Sequence, residues 1–134
     1  MMRPLKKILY LEDDDVIAEL VMISLIEISG YDVKHFNNGT AAIKSATRFK
    51  PQLCLFDVML PKMDGPSTLN NIRLIPGFSN VPVIFMTAKA QVHQQKTYMD
   101  MGALGVILKP FDPISLGEQI HALWQDRGRG EARV

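Results

Sequence analysis

The chain has 134 residues, the length of one ordinary domain, and its composition, 47% apolar and 22% charged, fits a soluble globular protein rather than a disordered or fibrous one. Fifteen Lys and Arg against fourteen Asp and Glu leave +1, too balanced for an overall basic field that would hold nucleic acid, and the single cysteine, Cys54, excludes an internal disulfide framework and a cysteine zinc cluster. The apolar run after the basic N-terminus stops at Glu12, too early for a signal peptide, and no stretch approaches the roughly 18 apolar residues of a membrane span, so a single domain in a reducing, cytoplasmic compartment is expected.

Leu5 to Leu11 reads as a first strand and ends in Glu12-Asp13-Asp14-Asp15. Val16 to Ile28 has helical length and stops at Ser29-Gly30, a C-cap signal. Tyr31 to Phe36 reads as a second strand. Asn38-Gly39 then breaks the chain before a helix over Thr40 to Phe49, closed by Pro51. Leu53 to Phe56 is apolar at every position, which suits a strand buried on both faces, and Asp57 follows it. Asp64-Gly65-Pro66 opens a helix to about Leu74, with proline in its first turn. After the loop Pro76 to Asn80 comes a fourth strand, Val81 to Met86, followed by Thr87. Gln91 to Met101 reads as a helix capped by Gly102, with Gly105 as a turn. Val106 to Leu108 is the fifth strand, followed by Lys109-Pro110, and Pro113 to Gln125 is the last helix. The domain is expected over residues 1–126. Residues 127–134, with three Arg, one Glu and two Gly, read as a flexible C-terminal tail.

Strands alternating with helices imply βαβ crossovers. The expected fold class is α/β: a doubly wound, flavodoxin-like, five-stranded parallel sheet of order 2-1-3-4-5 with helices on both faces. Ligands of such sheets bind beyond the carboxyl ends of the strands. A carboxylate cluster, a hydroxyl and a cation therefore arrive at one rim. Several carboxylates raise one another's pKa, and a divalent cation removes that cost; hard oxygen ligands suit magnesium. A solvated acidic loop, with Asp14 or Asp15 capping the next helix, would account for Glu12 to Asp15 alone. It does not account for Asp57 and Lys109, each closing an apolar run. Cys54 reads as a core residue, and Trp124 as packing. His35, His93 and His121 show no ligand spacing, and no P-loop or dinucleotide glycine fingerprint is present.

Four segments, Ile8 to Asp14, Asp57-Val-Met-Leu-Pro-Lys-Met-Asp-Gly65, Phe85-Met-Thr-Ala-Lys89 and Leu108-Lys-Pro-Phe111, stand in this order at the strand ends. In them the chain resembles, over about residues 5–125, the receiver domain of two-component response regulators, single-domain chemotaxis regulators included. The resemblance implies that Asp57 accepts a phosphoryl group from a histidine kinase or histidine phosphotransfer protein. It also implies a magnesium (Mg2+) site of Asp13, Asp57, the Met59 carbonyl and, through water, Glu12. Thr87 would be the switch hydroxyl, Lys109 the phosphoryl-pairing cation, and Pro110 would follow a cis peptide bond. No enzymatic activity is expected beyond self-catalysed phosphoryl acceptance and slow autodephosphorylation. A downstream docking protein is a further expected partner; nucleic acid and membrane are not. No output domain is expected, since only about ten residues follow the last helix.

Val106 departs from the family pattern, which commonly has an aromatic residue there, and puts the usual threonine–aromatic coupling in doubt. The resemblance implies that Met59 and Lys89 flank the path of hydrolytic water. Two other readings compete: an aspartyl-phosphate phosphatase of the haloacid dehalogenase type, and a receiver-shaped scaffold that is never phosphorylated. The first needs an acid where Met59 stands, and the second leaves the complete Asp13, Asp57, Thr87 and Lys109 set without a use. At roughly 100° per residue, Ile17, Leu20, Val21, Ser24 and Ile28 are expected to face the sheet. That would leave Ala18, Met22 and Ile26 as an outward ridge for docking a kinase or phosphotransfer protein.

Overall fold

Five short apolar runs form the strands: β1 (Lys7–Leu11), β2 (Asp32–Phe36), β3 (Leu53–Asp57), β4 (Val83–Thr87) and β5 (Ala103–Leu108). A computed structural model describes residues 3–88 and 92–132 of the chain, with side chains other than those of residues 92, 93 and 128–132. The strands pair in parallel in the order β2-β1-β3-β4-β5. Between and after them lie α1 (Asp15–Met22), α2 (Gly39–Phe49), α3 (Gly65–Arg73), α4 (Val92–Asp100) and α5 (Leu116–Ala132). Short polar side chains start three of these helices by accepting orphan backbone N–H groups. Asp14 accepts from Val16 and Ile17, Asn38 from Ala41, and Asp64 from Ser67, each within 3.1 Å.

Alternation along the strands feeds two cores, one on each face of the sheet. Ile8, Tyr10, Leu55, Ile84 and Ile107 pack under α5 and the helical stretch after β1, with Leu25, Ile120 and Trp124. Leu9, Leu11, Phe56 and Phe85 pack on the other face, with Ala42, Leu69 and Tyr98. The register sets Leu11 level with Phe36 and Phe56, Asp57 with Met86, and Thr87 with Leu108. Glu12, Asp57, Thr87 and Lys109 therefore leave the sheet at one rim.

Four local expectations differ from what is observed. β5 begins at Ala103 rather than Val106, and Gly105 lies inside it opposite Ile84 instead of forming a turn. A Cβ at Gly105 would stand 2.8 Å from both methyls of Leu123, so the missing side chain lets α5 close on the edge strand. Gly102 is the expected helix cap, with φ of +85°. Pro113–Ser115 form a turn before α5, and helical backbone continues from Arg127 to Ala132, where a tail was expected. Residue 91, the expected start of the fourth helix, lies outside the described residues.

The fourth difference concerns the first helix. It is α-helical only to Met22, and Ile23–Ile28 is π-helical, with Ser29 N donating to Ser24 O at 3.2 Å. The sheet buries Ala18, Val21, Ser24 and Leu25 and half-buries Met22, while Leu20 and Ile28 are exposed. Val21 and Ser24, with Ile17 half-buried, face inward as expected and Ile26 faces outward as expected, whereas Leu20 and Ile28 of the inward set and Ala18 and Met22 of the ridge are corrected. The helix is apolar round most of its circumference, so hydrophobicity offered two faces. The Ser24 hydroxyl, which donates to the Pro113 carbonyl, fixes the rotation. The outward apolar stripe is Val16, Leu20 and Ile23, at i, i+4 and i+7.

Candidate functional site

β1, β3, β4 and β5 each end in a different polar residue at the rim, because each apolar run stops where the sheet stops. The Lys109 ammonium lies 2.6 Å from Glu12 Oε1 and 2.9 Å from Asp57 Oδ2. The other Asp57 oxygen accepts the backbone N–H of Met59 at 3.2 Å, so both oxygens of this carboxylate are held. Glu12 Oε2 accepts from Asp14 N at 3.3 Å. Glu12 and Asp57 are almost fully buried, whereas Asp13 is exposed beside them. Each of Glu12, Asp13 and Asp57 offers a carboxylate oxygen, and these atoms lie within 4.8 Å of one another.

Although it closes a strand at the rim, the Lys109 side chain retains only 14% of its accessible surface. Burial alone would lower its pKa; its hydrogen bonds to Glu12 and Asp57 outweigh that and hold it above the usual lysine value. Burial is the largest influence on Glu12 and pushes its carboxyl up to about 7; Lys109 pulls the other way, and Asp57 adds to the rise. Three carboxylates around one ammonium leave a net negative pocket of hard oxygen donors, which fits Mg2+. The Lys109–Pro110 peptide is cis, as the resemblance implied.

Thr87 is buried at the end of β4, and its carbonyl accepts from Lys109 N at 2.9 Å, which pins the hydroxyl-bearing residue beside the cation. Met59 is exposed, at 74%. Val106 is half-buried against the α4-side core. Asp14, of the two acidic candidates, is the cap of α1. Lys89 lies outside the described residues, as does the side chain of His93.

The remaining polar candidates are structural. His35 Nε2 lies 2.8 Å from Glu12 O, and its ring tilts over Tyr10 at 5.3 Å. Trp124 is buried and donates to Arg3 O at 2.9 Å. Cys54 is buried, and burial pushes its thiol up to about 12. His121 sits on the exposed side of α5, 3.3 Å from Gln125.

Two features escaped the sequence reading. Gly65 presses against the end of β3: a Cβ there would stand 2.2 Å from Asp57 O, and Gly65 N donates to Val58 O at 3.1 Å. An apolar groove of about 360 Å³ also lies beside the rim, lined by Ile17, Leu20, Ala88, Lys109, Pro110 and Phe111. The only sequence signal for the first was the Asp-Gly pair. The second joins residues far apart in the chain and had none.

A family model described as the response regulator receiver domain matches residues 8–121. The chain is 34% identical over 117 residues to the DNA-binding dual master transcriptional regulator RpaA of Synechocystis sp., covering 87% of this chain and 48% of that protein. It is 35% identical over 118 residues to the alkaline phosphatase synthesis transcriptional regulatory protein PhoP of Bacillus subtilis, covering 88% of this chain and 48% of that one. The chain thus spans about half the length of the curated relatives it matches. Among solved structures, the CheY-like response regulator receiver domain protein from Methanospirillum hungatei is similar, with a TM-score of 0.79 and 26% identity over 95% of this chain and 99% of that one. Chemotaxis protein CheY4 of Vibrio cholerae shares the fold, with a TM-score of 0.82 and 23% identity over 90% of this chain and 99% of that one.

Proposed function

This chain belongs to the response regulator receiver domain family, and on that premise we propose that it is a phosphorylation-switched module whose acceptor is Asp57. The observation that carries the reading is the Lys109 ammonium, 2.6 and 2.9 Å from two buried carboxylates with Asp13 alongside. A structural ion pair needs one carboxylate. The excess suits a site that takes a cation and then a phosphoryl group.

In this reading Asp13, Asp57 and the Met59 carbonyl, with Glu12 through water, would hold Mg2+, which would supply positive charge against the carboxylates and the phosphoryl oxygens. An Asp57 oxygen attacks the phosphorus of a phosphohistidine on the donor. The new O–P bond forms as the P–N bond breaks, and the electron pair leaves with the imidazole. Lys109 and the Met59 N–H keep the Asp57 carboxylate in one orientation for that attack. The transferred group brings about −1.5 to −2 charges to the rim. Lys109 follows those oxygens on its flexible stem, and the Thr87 hydroxyl turns toward them. The exposed apolar Met59 offers no proton for hydrolysis where a haloacid dehalogenase-type phosphatase needs an acid.

The donor is a histidine kinase or phosphotransfer protein. It docks on the Val16, Leu20 and Ile23 stripe and in the groove of Ile17, Ala88 and Phe111. Output runs through a docking partner or onward relay. Residues 1–126 form the receiver unit in this reading, and it works in the cytoplasm.

Labelling with acetyl phosphate tests the site. Wild type takes up one phosphoryl group per chain and requires magnesium, and Asp57→Asn takes up none. Wild-type labelling of that variant would overturn the assignment, and continuous turnover in place of a stoichiometric burst would make the protein a phosphatase.

A further inference from the structure

Away from the phosphoryl site, a groove of about 420 Å³ runs between α2 and the sheet edge, lined by Lys34, Phe36, Ala41, Lys44, Ser45 and Arg48. β2 is an edge strand of the sheet. Ala41, Lys44, Ser45 and Arg48 recur at i, i+3, i+4 and i+7 and share one face of α2; Ala42, Ala46 and Phe49 bury the other. Phe36 is half-buried against the α2-side core. Lys34 lies on the same side of β2, with its ammonium 5.5 Å from the Phe49 ring centre.

The charge here is one-sided. From Val33 to Phe56 the sequence holds Lys34, Lys44, Arg48 and Lys50 and no Asp or Glu. Among the described residues none of Lys34, Lys44 and Arg48 is paired with a carboxylate. The near-neutral total of +1 therefore conceals a local basic strip, balanced by acids gathered elsewhere, as at Glu12–Asp15. A lysine on an edge strand commonly guards against strand pairing, which would explain Lys34. It would not explain two more cations on the facing helix, or an aromatic ring left half-open between them.

We propose that this groove binds a segment of single-stranded nucleic acid. Arg48 offers a planar fork to a phosphate, and Lys34 and Lys44 offer point charges. Lys44 and Arg48 stand about 6 Å apart along the helix axis, a step that neighbouring phosphates of an extended strand match. Ala41 and Ser45 leave room between the cations for the sugar. Phe36 presents a face for one stacked base, the usual companion of a basic channel in single-strand binding. An acidic peptide would answer the charges but leave the ring unused. A lipid surface would need a broad convex face, not a groove.

Fluorescence anisotropy of the full chain with a labelled oligothymidylate of about twelve nucleotides tests this. Saturable binding is expected, with log K falling against log salt at a slope near −2 if three phosphates are neutralised. Lys44→Glu with Arg48→Glu should lower affinity at least about tenfold at low salt and flatten the slope by about 1.4, since two contacts are lost. Lys44→Gln with Arg48→Gln, a milder pair, should weaken binding in the same direction. Phe36→Leu should weaken binding about fivefold or more with the slope unchanged, because it removes stacking and no charge. No saturable binding at the lowest salt would overturn the proposal. So would equal affinity for a poly-glutamate peptide or for anionic phosphatidylserine vesicles, or wild-type binding by a double variant that keeps the wild-type melting temperature.

Discussion

Glu12 is 1% exposed and faces Asp57 across the Lys109 ammonium. Burial first, and Asp57 second, hold its proton on until about pH 7, against an ordinary value of 4.5. Between those values the folded chain binds a proton that the unfolded chain has released, so this group's contribution to stability falls as pH rises through the window. The melting temperature of the metal-free protein should therefore contain a component that declines from about pH 4.5 to 7, and Glu12→Gln should remove it. Magnesium selects the ionised carboxylates, so the melting-temperature gain it gives should be larger at about pH 7.5 than at about pH 5.5. A pH-independent gain in wild type would contradict this. Glu12, Asp57 and Lys109 were legible in the sequence because each interrupts an apolar run, and a charge placed there has to lie at the end of a strand. The burial of Lys109 was not legible, since it depends on which two carboxylates the sheet register brings to it.

Helix α3 starts hard against the end of β3, and the contact is made by an atom that is absent. A methyl group on Gly65 would collide with the Asp57 carbonyl at 2.2 Å, and the obstacle is backbone, which cannot rotate aside. Gly65→Ala should cost about 1–3 kcal/mol of stability and also slow acetyl phosphate labelling, because relief requires β3 to move at Asp57. Chemical denaturation and labelling rate together check it; a stable variant with wild-type labelling would show that the contact is slack. The same tightness sets the rotation of the first helix, where Ser24 and Pro113 join and Gly117 has no room for a Cβ beside Ser29. Strands, caps and strand order could be read from periodicity and turn residues. The rotation could not, because Val16 to Ile28 is apolar on nearly every side and the π-helical turn shifts each following side chain off the 3.6-residue rhythm.

Across the whole molecule, the exposed apolar surface of α1 borders the rim that carries Asp57 and Lys109. Val16, Leu20 and Ile23 project there, next to the groove that ends at Lys109. Leu20→Glu with Ile23→Lys should slow phosphotransfer from the cognate kinase by about tenfold or more while leaving acetyl phosphate labelling unchanged, since apolar anchors carry most docking energy. Equal transfer rates for wild type and variant would remove this face from the interface. The strand order has a kinetic consequence as well. Asp57 and Lys109 are separated by 52 residues and Glu12 and Lys109 by 97, and they meet only once β4 and β5 have been added to β1 and β3. Non-local pairing of that kind is slow to form in a parallel sheet. A chain that has paired only β1 and β3 carries Asp57 and its acidic neighbours without their cation. The two Lys109 contacts are therefore a local readout of assembly, since they exist only where β3, β4 and β5 are all in place.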